Sequence, residues 1–303
     1  MRRFVTRHQA HPHPLAFPAL LFGNVALAFG PWMVRLADVG AVAAGFWRLA
    51  LALPLLLLVA KGAGQDAHWP RKALVPVVVA AAIFYSLDLA SWNAGIRMTK
   101  LGNSTLFGNS GSFVFAIYGL WLARRRPSLR QAGALGLAAV GAALLMGSSY
   151  QLSHRNFAGD LLTLVAGVLY GGYLVFIERG RATMQPLPLL ILTTTFSLPI
   201  LLAISLGLGE QIGPHNWTPL IIFAISSQVI GQGLLVYSIG TFPPLVVGLA
   251  LLTQPAISAA IGWLAYGERL SLTDVVGAIA IAAALVLVRL PERGLRPQVE
   301  AAS

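Results

Sequence analysis

Residues 159–179 read GDLLTLVAGVLYGGYLVFIER, and the 17 positions between Asp160 and Glu178 carry no charge. A helix of about 20 apolar residues, rising 1.5 Å per residue, crosses the hydrocarbon core of a bilayer. The segment 157–178 reads as such a helix. Nine others share its character, at 15–37, 40–60, 73–95, 101–123, 129–149, 187–207, 217–239, 244–266 and 272–289. The breaks between them are short and carry turn or charge signals, as in KGAGQDAHWPRK at 61–72, RRRPSLR at 124–130 and YGERLS at 266–271. None is long enough for a soluble domain.

Composition agrees. Of the 303 residues, 57% are hydrophobic and 10% charged, and mean hydropathy is +0.75. A soluble fold carries about 25% charged residues, so most of this surface must face lipid. Cysteine is absent, which excludes disulfides, thiolate metal sites and a cysteine nucleophile. The net charge of +11 is better explained by basic cytoplasmic loops than by nucleic acid. With the N-terminus inside, 15 Lys and Arg fall on the cytoplasmic side and five, Arg35, Arg97, Lys100, Arg155 and Arg269, on the other. Both termini are therefore expected to be cytoplasmic. Arg2, Arg3 and Arg7 followed by Ala26-Leu27-Ala28 outline a signal peptide, but the apolar run continues to Ala37, so the helix is expected to be retained.

Two halves are visible. Ala28-Phe29-Gly30-Pro31-Trp32 in helix 1 parallels Leu169-Tyr170-Gly171-Gly172-Tyr173 in helix 6, 141 residues on. ARRRPSLRQAGALGLAAVGAALL (123–145) parallels YGERLSLTDVVGAIAIAAALVLV (266–288), 143 residues on. The division is a tail 1–14, a repeat 15–149, a repeat 157–289 and a tail 290–303. Five helices is an odd number, so the second repeat enters the membrane from the other side. The expected fold is an all-α integral membrane protein of ten transmembrane helices in two inverted five-helix repeats. Such repeats place a transport site near the midplane between them.

The chain resembles the drug/metabolite transporter superfamily, EamA type, over about 15–289. The resemblance rests on FGPWMVRL in helix 1, FWRLALALPLLLL with Arg48 in helix 2, residues 159–179, and LALLTQPAISAAIGWLAYGERLSLTDVVGAIAIAAAL near the end. Among relatives it looks most like bacterial aromatic-amino-acid exporters. The resemblance implies a monomeric inner-membrane carrier in contact with lipid, with a cavity from helices 1, 3, 4, 6, 8 and 9. The first half has Arg124-Arg125 where the second has Glu268, which puts a shared role for that Glu in doubt.

Polar side chains at membrane depth are costly and usually face the bundle interior. Tyr85, Asp88 and Trp92 fall on one face of helix 3, Tyr170 and Tyr173 on one face of helix 6, and Gln228 and Gln232 on one face of helix 8. Asn24 lies on helix 1, Asn109 on helix 4 and Gln254 on helix 9. The functional reading is an aromatic-walled site whose amides orient a small amphipathic solute, preferably an amino acid. The structural reading is interhelical hydrogen bonding. Arg48 lies ~12 Å deep and Asp88 ~10 Å deep from the outer ends of helices 2 and 3. A structural ion pair is favoured; proton coupling through Asp88 and snorkelling of Arg48 are the alternatives.

Other functions fit less well. Gly108-Asn109-Ser110-Gly111 matches the GxSG of intramembrane serine proteases, but all six His lie in tails or loops, leaving no base at depth. Asp88 is the only acid well inside a span, so neither an aspartyl protease nor a Mg²⁺-dependent transferase is expected. There is no Walker A motif, and no cofactor or metal is expected. A channel would need a filter or a ring of like charges, and neither is visible.

Overall fold

The computed structural model describes residues 16–65, 72–111, 114, 128–239, 251 and 253–289. The two tails, helix 4 beyond 114 and most of 244–252 in helix 9 lie outside the described residues. Those described form ten helical segments and no strand. α1 comprises Ala16–Ala28 and Gly30–Leu36. α2 is Ala41–Gly62, α3 Val75–Ile96, α4 Leu101–Gly108 and α5 Leu129–Leu152. α6 is His154–Arg181 and α7 Pro186–Gly207. α8 comprises Thr218–Phe223, a π-helical stretch Ala224–Gln232, and Gly233–Ile239. α9 is Thr253–Tyr266 and α10 Leu272–Arg289.

Local chemistry sets the ends. Pro31 follows the break in α1 at Phe29; proline lacks the donor and clashes with the preceding turn. Gly64, Gly209 and Gly267, with φ of 63°, 64° and 62°, turn the chain off the ends of α2, α7 and α9, a conformation glycine adopts freely. The expected break at 149–156 shrinks to Ser153, whose hydroxyl accepts from the Asn156 amide and caps α6. α2, α3 and α7 each hold 22 residues, about 33 Å of helix. Among the described residues, six helices are long and apolar enough to cross a membrane: 17–36, 41–62, 75–96, 154–181, 186–207 and 218–238. Shorter apolar helices run over 132–144 and 272–284. The protein is a multi-pass membrane protein.

Its surface is inverted relative to a soluble fold. Phe22, Leu58, Trp263 and Leu264 are exposed, while Asn24, Arg48, Asp88, Asn93, Thr194, Gln228 and Gln232 are buried. Lipid replaces water outside, so apolar side chains face outward and polar ones find partners within.

The packing joins the two halves throughout. α3 lies against α6 and α7, α1 against α8 and α9, and α2 against α7 and α8. α4 lies against α6 and α9, and α5 against α10. Glycine permits the closest crossings. A Cβ on Gly171 of α6 would lie 2.7 Å from the Gly111 carbonyl, and one on Gly141 of α5 would lie 2.7 Å from the Gly277 carbonyl.

Candidate functional site

A cavity of about 60 Å³ lies between the helices. α1 supplies Leu27, α2 Arg48, α3 Tyr85, Asp88, Leu89 and Trp92, and α4 Thr105 and Gly108 followed by Asn109. Tyr170 of α6, Gln232 of α8, and Leu251 and Gln254 at α9 complete it. The six helices expected around the site all contribute, and α2 joins them through Arg48.

Aromatic rings build one wall. Tyr85 stacks on Tyr173 with ring centres 4.6 Å apart, and Tyr173 stacks on Tyr170 at 5.6 Å. Such offset stacks add about 0.5–1.5 kcal/mol beyond burial. The indole N–H of Trp92 donates to the Ser104 carbonyl at 3.3 Å. Gly108 leaves room for that ring: a Cβ there would lie 3.0 Å from Trp92 Nε1.

Gln228 organises the charged side. Its Oε1 accepts from Tyr85 OH at 2.6 Å and from Arg48 Nε at 3.1 Å, while its Nε2 donates to Thr194 Oγ1 at 3.1 Å. Arg48 Nη2 donates to Tyr85 OH at 3.2 Å and to the Ser227 carbonyl at 3.4 Å. The guanidinium also sits over the Phe223 ring, 5.0 Å from its centre. Gln232 Nε2 donates to Tyr173 OH at 3.1 Å, and Gln254 Nε2 to Asn24 Oδ1 at 2.8 Å.

Six of the nine expected contact residues thus line the cavity: Tyr85, Trp92, Asn109, Tyr170, Gln232 and Gln254. Asn24, Tyr173 and Gln228 stand behind, each holding a neighbour in place. The direct Arg48–Asp88 ion pair is not formed. No guanidinium nitrogen lies within 4.0 Å of an Asp88 oxygen, because Gln228, Tyr85 and Ser227 hold Arg48. Both charges nonetheless face the same cavity.

Sequence reading passed over Leu27, Leu89, Thr105 and Leu251, which carry no polar or aromatic signal or sit beside residues that do. It also missed the π-helical turn of α8. That turn packs five residues per hydrogen-bonded loop and carries Ser227, Gln228, Gly231 and Gln232 inward; π segments recur at functional sites.

A second constellation closes the bundle end where α1, α3, α7 and α9 finish. Arg35 Nη1 pairs with Glu268 Oε1 at 2.6 Å, and Lys100 with Asp274 Oδ2 at 2.6 Å. Glu268 Oε2 accepts from the Leu101 amide at 2.9 Å, at the start of α4. Glu210 accepts from the Val42 and Ala43 amides at 3.2 and 2.8 Å, at the start of α2. Asp38 accepts from the His215 and Asn216 amides, and Thr99 donates to Asp160. Carboxylates therefore neutralise orphan amides at helix starts of the opposite half. Glu210 and Glu268 each follow a positive-φ glycine, which turns the carboxylate back over the bundle. Glu268 thus has a role that the comparison of the two halves did not indicate.

The Ser110 hydroxyl of the GNSG stretch has no hydrogen-bond partner among the described residues, and Gly111 packs on Gly167 and Gly171. The stretch packs against α6 and lines the cavity through Gly108 and Asn109.

Residues 157–290 match the EamA-like transporter family. Over 247 residues the chain is 25% identical to the threonine/homoserine exporter RhtA of Escherichia coli (strain K12), covering 80% of each protein. It is 23% identical to the threonine/homoserine exporter RhtA of Salmonella typhimurium (strain LT2) over the same length. A solved crystal structure at 14% identity superposes with a TM-score of 0.62, covering 93% of this chain and 98% of that one, which shows a shared fold. Residues 157–290 therefore carry the match to the EamA-like transporter family, and over most of its length the chain is similar to bacterial amino-acid exporters.

Proposed function

We propose that this chain exports amino acids across the bacterial inner membrane by alternating access between two inverted five-helix halves, acting as a monomer. The observation that carries the reading is the cavity between the halves, walled by Tyr85, Tyr170 and Trp92 and bearing Arg48, Asp88, Asn109, Gln232 and Gln254. Few polar groups on an aromatic wall suit a solute with an apolar side chain and a charged head. The packing supports the inverted repeat: exchanging α1–α5 for α6–α10 turns α3–α6 into α8–α1, α4–α6 into α9–α1 and α3–α7 into α8–α2, all observed contacts. The carboxylate-tied end fits a state closed on the outer side, with a site still small for a ligand pocket. Export requires these ties to part.

A second reading, small hydroxy amino acids, is favoured by the cavity of about 60 Å³ and by the similarity to threonine/homoserine exporters. Proteoliposome uptake over a panel of amino acids, with and without a pH gradient, separates the readings. Saturable flux led by phenylalanine, tryptophan or leucine supports the first. Flux led by threonine and homoserine establishes the second, and flux that never saturates means a channel. Gln232→Ala is expected to weaken transport of every substrate, and Trp92→Ala to change their ranking. Leu58→Ala, at an exposed position on α2, is expected to leave transport intact.

The proposed topology has its own test. Gly62 and Gly213 have open space where a Cβ would be added, and the chain has no native cysteine. In intact cells, an impermeant thiol reagent is expected to label Gly213→Cys and to spare Gly62→Cys. The reverse pattern means the termini lie outside.

A further inference from the structure

We propose that Arg48 and Asp88 form a split clamp for a zwitterion: the guanidinium takes the carboxylate of an α-amino acid and Asp88 takes its ammonium group. The proposal rests on the amino-acid reading above and names the recognition chemistry of that site.

Both charges line one cavity, yet each keeps bonding capacity that the protein does not use. Arg48 commits Nε and Nη2 to Gln228, Tyr85 and Ser227, and its Nη1 has no partner among the described residues. Asp88 is 7% exposed, and neither of its oxygens accepts a hydrogen bond from a described residue. Buried charges are normally paired or saturated with hydrogen bonds, because leaving water costs several kcal/mol per ion. Here the simplest remedy, a direct pair, is prevented by the cradle itself. Two hydrogen bonds to α8, to Gln228 and the Ser227 carbonyl, and the Phe223 face hold the guanidinium against α8, while its one bond to α3 goes to the Tyr85 hydroxyl rather than to the Asp88 carboxylate. The result is a preorganised donor and an unsatisfied acceptor lining one cavity.

A solute that engages both groups needs an anion and a cation a short distance apart. A simple anion would leave Asp88 unpaired, and a simple amine would leave Arg48 unpaired. An α-amino acid carries its carboxylate and ammonium on one carbon and satisfies both. With Asp88 ionised against the ammonium group, the loaded site carries no net charge. The tyrosines and Trp92 remain for the side chain.

The test measures binding to the purified full-length chain in lipid nanodiscs with three probes of one shape. L-Phenylalanine carries both charges, 3-phenylpropionate lacks the ammonium, and phenethylamine lacks the carboxylate. Threonine serves as a second zwitterion. The wild type is expected to bind a zwitterion about tenfold or more tightly than either single-charge probe. Asp88→Asn is expected to lose that advantage over 3-phenylpropionate while holding 3-phenylpropionate within about twofold of wild type. Arg48→Gln is expected to lose the advantage over phenethylamine instead. Should Arg48→Gln fail to fold, Arg48→Lys keeps the charge and is expected to retain part of the preference. If both variants weaken all three probes equally, or neither changes the preference, the clamp is wrong while saturable amino-acid transport by the wild type still upholds the exporter. If the wild type neither binds nor transports any amino acid, the exporter reading falls and the clamp with it.

Discussion

Gln228→Leu is expected to destabilise the protein by about 3–5 kcal/mol and to abolish transport. Leucine has similar bulk but no polar atoms, so three hydrogen bonds vanish together. Oε1 accepts from both Tyr85 OH and Arg48 Nε, and Nε2 donates to Thr194. One side chain of α8 thereby ties α2, α3 and α7. Neutral hydrogen bonds between membrane helices are worth only about 0.6–2 kcal/mol each, because an unfolded helix in lipid also finds partners. The larger effect comes from Arg48, which is 3% exposed and would keep its charge with one anchor fewer. Thr194→Val removes the single neutral bond and is the natural comparison, expected to cost about 1 kcal/mol. Thermal unfolding midpoints of the two variants in the same detergent check this. Equal midpoints for both would mean that Gln228 is merely one polar contact among many.

Gly167→Leu is expected to prevent α4 and α6 from docking, with a loss exceeding the roughly 1–3 kcal/mol of ordinary overpacking. A Cβ at Gly167 would collide with the Phe107 carbonyl and the Ser110 hydroxyl, and would lie 3.1 Å from the Gly108 carbonyl. Two of these atoms are backbone, so no rotamer change relieves the contact. Separation of the helices would also shift Gly108 and Asn109 at the cavity wall. Gly167→Ala is expected to fold with a loss of about 1–3 kcal/mol. Gly133→Ala and Gly136→Ala, on α5 with open space around the added carbon, are expected to be neutral or stabilising by up to about 1 kcal/mol through helix propensity. Yield of monodisperse protein and thermal midpoint separate the three classes. A well-folded Gly167→Leu would show that the crossing is wider than this packing implies.

Glycine shows where sequence reading stopped. The chain has 31, and nothing in the sequence separates Gly167, pressed on a carbonyl, from Gly133, which faces open space. Proline was more legible: Pro31 coincides with the break in α1 because its effect is local. Pro54 and Pro199 stand inside continuous α2 and α7, where neighbouring helices take over what the local backbone loses.

The sequence by itself determined the helices and most of the cavity's inventory. Runs without charge must cross lipid as helices, because unpaired backbone groups are intolerable there. A polar residue in mid-span must face inward, so Tyr85, Trp92, Asn109, Tyr170, Gln232 and Gln254 were readable as a set. Only the tertiary structure decided which of them meet. Arg48 bonds Gln228, 180 positions away, rather than Asp88 on the next helix. Arg35 meets Glu268 at a separation of 233, and Lys100 meets Asp274 at 174. Such partners depend on how each helix is rotated about its axis and how the halves dock. A π-helical turn in α8 alters that rotation in mid-span. Hydrophobicity fixes depth and inward facing, but it is non-directional, so pairing was left to the packing of the whole bundle.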